Sequence, residues 1–464
     1  MNVVIEILAF VFILGAAVIL HEFGHFAVAK LLKIRVETFS VGFGPRIWGR
    51  RWGTTDYRVS AIPLGGYVKL GGDESNAPIE GEGASDIPPA EQFTLRPRWQ
   101  KFLVAVAGPV MNILTALAIP FVGGMIWGVP VSPAPVVRNI APNSAAQAAG
   151  LQPGDRIISF NGAENPKWDT IRGDSLLSPE QALPMVVERN GERVQLTITP
   201  TKRTESGEVI GVMGFDPDYG DVPVVVASVE EGTPAAEAGL QVSDKIVAIG
   251  GERVGSAEQV TQYIQDHKKE PIRLTVERQG QQKEITATAR LLSDGRERLG
   301  FGPVEQLPRE RAGLVATARH AVSFNVEILR LTGKALGQLF TGQRSARNTV
   351  SGPIGIYKAA ATSVREAGWA GVFSMLGFLS LSLGVFNLLP IPVLDGGAIF
   401  LLLVEAVLAM AGKQLSMRVR ERIQQVGFVM LLLLMGFVIT NDLIKTVSRN
   451  PPDDNKPAAT APQK

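Results

Sequence analysis

Hydrophobic positions along the chain gather into four runs that are almost free of charge. Residues 1–29 carry only Glu6 and Glu22 as charged groups, and residues 102–127, 369–394 and 423–441 carry none. Each run supplies the ~20 residues, at 1.5 Å rise per residue, that a ~30 Å hydrocarbon core requires. They predict four membrane-spanning helices, since buried helices of soluble cores are usually shorter. A cleaved leader is the other reading of the first run, with Ala27-Val28-Ala29 as its cleavage site. That run lacks a basic start, and cleavage would discard the chemistry described below.

Lys and Arg at the ends of the runs set an expected orientation, because basic loops stay cytoplasmic. Lys30, Lys33 and Arg35 follow the first run, and Arg96, Arg98 and Lys101 precede the second. Lys413, Arg418, Arg420 and Arg422 separate the third from the fourth. Residues 30–101 and 411–422 are therefore expected inside, with both termini and residues 128–368 outside. The segment from Arg449 onward, rich in Pro, Ala and Asp, reads as disordered.

Between the second and third runs the pattern repeats itself. Ser144 to Gly162 matches Thr233 to Gly251, with Gly150 over Gly239 and Asp155 over Asp244, an offset of 89 residues. The offset persists at Glu188-Arg189-Asn190-Gly191 and Glu277-Arg278-Gln279-Gly280. A repeat of this length suits a small domain and not a solenoid unit. In each copy Ser or Thr caps a short Ala-rich helix ended by Gly-Leu, and Asp then leads into an apolar strand closed by a Gly turn. The pattern resembles a bacterial PDZ domain twice in tandem, which implies capture of peptide C-termini or extended segments by strand addition. Ile210-Gly211-Val212 and Leu299-Gly300-Phe301 are the expected peptide-binding loops; a structural pair with empty grooves is the alternative.

The chain has 464 residues, with 46 Lys+Arg against 44 Asp+Glu. So balanced a charge argues against nucleic acid as a partner. Cysteine is absent, which excludes disulfides, thiolate zinc sites and a cysteine nucleophile. No Gly-x-Ser-x-Gly occurs, so a serine nucleophile elbow is set aside.

Two of the four histidines fall in His21-Glu22-Phe23-Gly24-His25. On a helix, residues i and i+4 share one face. His21 and His25 can therefore hold one Zn²⁺, with Glu22 beside it as general base. An ionisable cluster inside an apolar helix is a functional site by default. His267 and His320 read as surface residues. A third ligand must be His, Asp or Glu. The leading candidate is Asp395, which ends the run Asn387-Leu-Leu-Pro-Ile-Pro-Val-Leu-Asp395. Prolines and glycines break a membrane helix there, and irregular backbone at such depth is tolerated only in protein or against a cavity. The alternative is a surface loop in which Asp395 caps the next helix.

Taken together, the HEFGH motif, the tandem repeats and the stretch from Asn387 to Gly396 resemble the site-2 intramembrane metalloproteases over essentially the whole chain. The resemblance implies a multi-domain membrane protein: a four-helix transmembrane core, a re-entrant β-hairpin and two tandem PDZ-like domains. It assigns His21, His25 and Asp395 as zinc ligands and Glu22 as catalytic base. Gly108-Pro109-Val110-Met111-Asn112 matches a family element in the second span, placing Asn112 at the site, and Asn387 matches a position that holds the substrate strand. Thr38–Val68, with Phe43-Gly44-Pro45, resembles the family's re-entrant hairpin, an ordinary cytoplasmic loop being the alternative. The implied partners are membrane lipid and a single-pass membrane protein, such as an anti-sigma factor already trimmed by another protease, or a remnant signal peptide; the implied location is the bacterial inner membrane.

The expected domain limits are 1–127 and 369–445 for the membrane core, 128–220 and 221–308 for the two PDZ-like units, 309–368 for a linker and 446–464 for the tail. Within the linker, Val322, Val326, Leu329, Leu336 and Leu339 form a helical stripe between Leu314 and Phe340. It either lies on the membrane surface as an amphipathic helix or packs against the repeats. Two other functions compete with intramembrane proteolysis: a tethered zinc peptidase acting outside the bilayer, and a non-catalytic PDZ scaffold.

Overall fold

The computed structural model describes residues 3–73, 87–205, 208–219, 222–292, 297–343, 351–413 and 415–447. The predicted tail from Arg449 lies outside them. Among the described residues, four helices are long and apolar enough to cross a membrane: Val3–Leu31, Arg98–Trp127, Ala367–Asn387 and Arg418–Lys445. The first, α1, is apolar on every side, and Val3, Leu8 and Phe12 are exposed. So many bare apolar side chains are intelligible where lipid replaces water. Its charged Glu6 is buried and paired with Arg365 at 3.0 Å.

After α1 the chain forms β1 (Val36–Trp52) and β2 (Thr55–Leu70). Each long strand is bent, so the two make four short antiparallel segments. Residues 46–52 pair with 55–60, which pair with 38–41, which pair in turn with 66–70. The 66–70 segment is an edge that packs on α1, where Val68 and Leu70 join Ala29, Ile34, Val36 and Val104 in one apolar cluster. The hairpin also reaches back along α1: a Cβ at Gly15 would meet the Pro63 carbonyl at 3.3 Å.

The second span, α2 (Arg98–Trp127), holds Pro109 and Pro120. The repeats follow, and their sheets match strand for strand. In the first, the order is β9-β3-β4-β5-β6, with β3 Ala134–Ile140, β4 Arg156–Phe160, β5 Leu183–Arg189, β6 Glu192–Ile198 and β9 Phe215–Asp218. A ribbon of β7 (Thr201–Glu205) and β8 (Glu208–Val212) pairs only with itself. In the second, the order is β14-β10-β11-β12-β13, with β10 Val224–Val229, β11 Lys245–Ile249, β12 Pro271–Arg278, β13 Gln281–Thr288 and β14 Phe301–Glu305. The duplicated acids have duplicated partners. Asp155 takes two hydrogen bonds from Arg189, each 2.7 Å, and Asp244 takes two from Arg278, each 2.6 Å. Burial opposes ionisation of both carboxyls, yet the bidentate guanidinium and a backbone N–H hold them below the usual carboxylate range.

The short Ala145–Ala148 helix (α3) and Trp168–Leu176 (α4) belong to the first repeat; Pro234–Glu237 (α5) and Ala257–Asp266 (α6) belong to the second. The predicted stripe lies on α7, Leu314–Phe340. Asn325 of α7 donates to the Ala116 carbonyl of α2 at 3.1 Å, while Arg330 and Lys334 reach Asp174 of α4 at 3.0 and 2.9 Å. The polar side of α7 thus faces the first repeat, and Val322, Val326 and Leu329 are exposed.

The third span differs from the run predicted over 369–394. Helix α8 covers Pro353–Asn387 with a kink at Gly368, and stops where Pro390 and Pro392 forbid its continuation. A separate helix, α9 (Asp395–Met410), begins at the predicted ligand. Its 16 residues span only ~24 Å, short of a full crossing. The last helix, α10, covers Met417–Val447. Its buried Asp442 accepts the backbone N–H groups of Gly352, Ile354 and Gly355 at 2.9–3.1 Å, capping α8.

Candidate active site

The i, i+4 spacing places His21 and His25 on the face of α1 turned toward α2. Two glycines allow the approach. A Cβ at Gly24 would lie 2.3 Å from the Ala107 carbonyl oxygen, and one at Gly108 would lie 2.3 Å from His25 Nε2. Small residues at these positions let the helix backbones touch, as membrane packing favours.

Hydrogen bonds then fix the rings. His25 Nδ1–H donates to the Val104 carbonyl at 2.7 Å, which leaves Nε2 with its lone pair free. Asn112 is fully buried, and its Nδ2 lies 3.2 Å from His21 Nδ1 while its Oδ1 has no partner. Turning the amide about its last torsion lets Oδ1 accept from His21 Nδ1–H. His21 Nε2 is then an acceptor too.

Asp395 comes to both rings from the start of α9. Its Oδ2 is 3.0 Å from His21 Nε2 and its Oδ1 is 3.5 Å from His25 Nε2, while the two Nε2 atoms are 3.2 Å apart. A tetrahedron with ~2.05 Å bonds has edges of about 3.3 Å. The three donors fit one metal ion, and they form a group within 4.8 Å of one another. Asp395 lies at the candidate metal group and in the first turn of the next helix, whose N-cap is Leu394 with no side-chain cap bond, so it does not act as the cap of a surface loop.

Glu22 sits one step round α1, against the edge of the β-sheet. Its carboxylate lies close to the Val68 backbone, and a Cβ at Gly66 would meet its Cγ at 3.9 Å. Asn387, at the end of α8, directs its Nδ2 to His21 Nε2 at 3.3 Å. The structure thus brings together His21, Glu22, His25, Asn112, Asn387 and Asp395 from α1, α2, α8 and α9. Gly44 is elsewhere in the hairpin, at φ 86°, where an added Cβ would meet Ile62 Cδ1 at 3.9 Å. Val104, the residue that orients His25, carries no signature in the sequence, because the acceptor is its backbone carbonyl.

The candidate peptide loops separate. Leu299 is buried in the second repeat's core, and Gly300, at φ 87°, gives its carbonyl to Glu230 N–H at 2.9 Å just before β14. In the first repeat the same place, just before β9, is held by Met213 and by Gly214 at φ 77°. There Met213 and Gly214 carbonyls accept from Ala146 and Ala141, as Leu299 and Gly300 accept from Ala235 and Glu230. Ile210 and Gly211 lie three residues earlier on β8, where a Cβ at Gly211 would strike the Ser175 carbonyl at 2.3 Å. The first repeat's counterpart of Leu299-Gly300 is therefore Met213-Gly214, not Ile210-Gly211.

Comparison with known proteins gives the family. The pattern of peptidase family M50 matches residues 9–434. Regulator of sigma-E protease RseP of Salmonella typhimurium is 32% identical, covering 95% of this chain and 99% of its own length. Its namesake in Escherichia coli K12 is 31% identical over 94% of this chain and 98% of its own. A Vibrio cholerae relative, 32% identical over 94% of this chain and 98% of its own, bears the name of a zinc metalloprotease. With the match running from the first span to the last, the chain belongs to peptidase family M50, the site-2 proteases.

Proposed function

We propose that the protein is a zinc endopeptidase that hydrolyses a peptide bond in or near the membrane segment of a single-pass protein. The observation that carries this reading is the convergence of His21, His25 and Asp395 within 4.8 Å, next to Glu22, inside the helical core. His21 and His25 Nε2 and the Asp395 carboxylate are the donors that hold the metal. Zinc supplies, when bound, Lewis acidity toward water and the carbonyl under attack. Glu22 takes a proton from the attacking water and returns it to the leaving amine. Asn112 and the Val104 carbonyl keep the two rings in the tautomers that bind metal.

A substrate helix hides its carbonyls in internal hydrogen bonds and must unwind first. The 66–70 edge of the β-sheet has one strand partner and borders Glu22, so an unwound segment added there regains backbone partners. The approach of Pro63 to Gly15, six residues or ~9 Å before His21, supports a hairpin that re-enters the membrane. Asn387 is placed to anchor the same segment. The basic residues flanking the spans favour a cytoplasmic 30–101 and 411–422, with the repeats and both termini in the periplasm of an inner-membrane protein. The two repeats act as a PDZ pair, with Met213-Gly214-Phe215 and Leu299-Gly300-Phe301 before the receiving strands. They admit substrates whose outer part has already been trimmed. Relatives named as regulators of sigma-E fit the family resemblance, which implies an anti-sigma factor as substrate, in envelope-stress signalling.

The test is cleavage of a model single-pass protein by the purified chain in detergent, with the cut mapped by mass spectrometry. Chelator-sensitive cutting within the apolar segment is expected. Cutting confined to flanking soluble sequence would replace this reading with that of a tethered peptidase.

A further inference from the structure

A second site lies where the first repeat meets α7. An open cavity of about 640 Å³ is lined by the chain leaving α2, the start of β4, the loop before α4 and one face of α7. Its volume is in the range of small-molecule sites. The ionisable side chains that line it are Arg156, Lys167, Arg319 and His320, with no carboxylate among them. Ser132 and Ser323 add hydroxyls. Among the described residues, none of Arg156, Lys167 and Arg319 forms an ion pair within 4.0 Å. Three cations around one hollow, with no carboxylate lining it, make a local field that attracts an anion. His320 reports the same field. Burial lowers its pKa, Lys167 and Arg309 lower it further, and Asp169 opposes them.

Position identifies the kind of anion. The cavity wall begins at Val129, two residues beyond the end of the second span at Trp127. That is headgroup depth for a helix that crosses the bilayer. On α7, Ala316, Arg319, His320 and Ser323 face the cavity. Val315, Val322 and Val326 are exposed beside them, roughly a quarter turn away at 100° per residue. A third face, with Thr317 and Asn325, packs on α2. Basic polar and bare apolar faces thus run side by side, as an acyl chain and its headgroup do.

We propose that this cavity binds the phosphate of an anionic phospholipid in the leaflet at the outer end of α2, through Arg156, Lys167 and Arg319, with the acyl chains along Val315, Val322 and Val326. Arginine suits this task because its fork meets phosphate oxygens in pairs. The site shares no residue with the metal group or with the loops before β9 and β14. The lipid would tie the first repeat and α7 to the membrane surface. This assignment needs α2 to span the bilayer but does not depend on proteolysis.

The test uses the full chain in neutral detergent and native mass spectrometry, with dioleoylphosphatidylglycerol or dioleoylphosphatidylcholine added at equal concentration. The expected result is roughly tenfold tighter retention of phosphatidylglycerol, and loss of that preference in the Arg156→Gln/Arg319→Gln double variant. Asp169→Asn, which removes the nearby acid, should strengthen retention. Both variants change exposed side chains, and an unchanged melting temperature confirms their fold. Equal retention of the two lipids, or a double variant that keeps the preference, would overturn the proposal. Displacement of the lipid by inorganic phosphate at the lipid's own concentration would also overturn it, by assigning the site to free phosphate.

Discussion

Replacing Gly108 with alanine is a local probe of the metal group. The added methyl would lie 2.3 Å from His25 Nε2, 2.7 Å from His25 Cε1 and 2.9 Å from His21 Cε1. Carbon and nitrogen atoms rest at about 3.5 Å or more, so the His25 ring must retreat by about 1 Å. A metal site tolerates displacements of only ~0.2 Å. The His25 ring also cannot move without straining its 2.7 Å bond to Val104. Helix propensity acts in the opposite direction, favouring alanine by ~1 kcal/mol within a helix. The fold should therefore survive while the site fails. Zinc content measured on the purified variant should fall at least tenfold, with cleavage lost and the melting temperature within a few degrees of the parent. Gly333→Ala, where a Cβ meets nothing within 4 Å, is the control and should keep its zinc. A Gly108→Ala protein with full zinc occupancy would refute the placement of the two rings.

Other outcomes follow from the same geometry. Asp442→Ala removes the acceptor of three N–H groups at the start of α8, and should cost about 2 kcal/mol, read as a lower melting temperature in detergent. Leu299→Ala empties space in the second repeat's core and should cost about 2–4 kcal/mol, with the second repeat unfolding earlier in urea. Asp216 lies in the first repeat's edge strand, where it accepts from Ser256 of the second repeat at 2.8 Å. Burial, with Glu258 and Glu305 adding to it and Ser256 opposing, pushes its pKa up to about 6. The folded state therefore binds this proton more readily than the unfolded chain, so stability should rise as pH falls from 7 to 5, by about 1.3 kcal/mol. Asp216→Asn should flatten that rise in a thermal melt. Asp155 and Asp244 act oppositely and lower, because their stabilisation is present above the unfolded value of 3.8 and is lost only as pH falls through their depressed pKa values.

Much of this arrangement was legible because its signals are local. A charge-free run becomes a helix in lipid wherever it occurs, and His at i and i+4 face one way on any helix. Asp395 stood out because a carboxylate after two prolines has few inexpensive places in a membrane. What escaped depends on distant partners. The offset of 89 residues holds from Gly150 to Gly239, but Gly214 and Gly300 are 86 apart. The β7–β8 ribbon changes the spacing, and only strand pairing shows that Met213-Gly214 takes the place expected of Ile210-Gly211. The helix from Asp395 to Met410 was hidden because its apolar sequence is too short to read as a span and follows one that does. The bond from Glu6 to Arg365 and the cap from Asp442 to Gly352 join residues more than 80 positions apart, with no periodicity to betray them.

The central claim is that Glu22 does proton chemistry beside a metal held by His21, His25 and Asp395. Its most direct test compares Glu22→Gln with the parent for zinc content and for cleavage of a single-pass membrane substrate. Glutamine keeps the size of the side chain and removes the base. The account predicts full zinc occupancy with cleavage reduced by at least ~10²-fold. A variant that retains its zinc and still cuts the apolar segment at a comparable rate would contradict it.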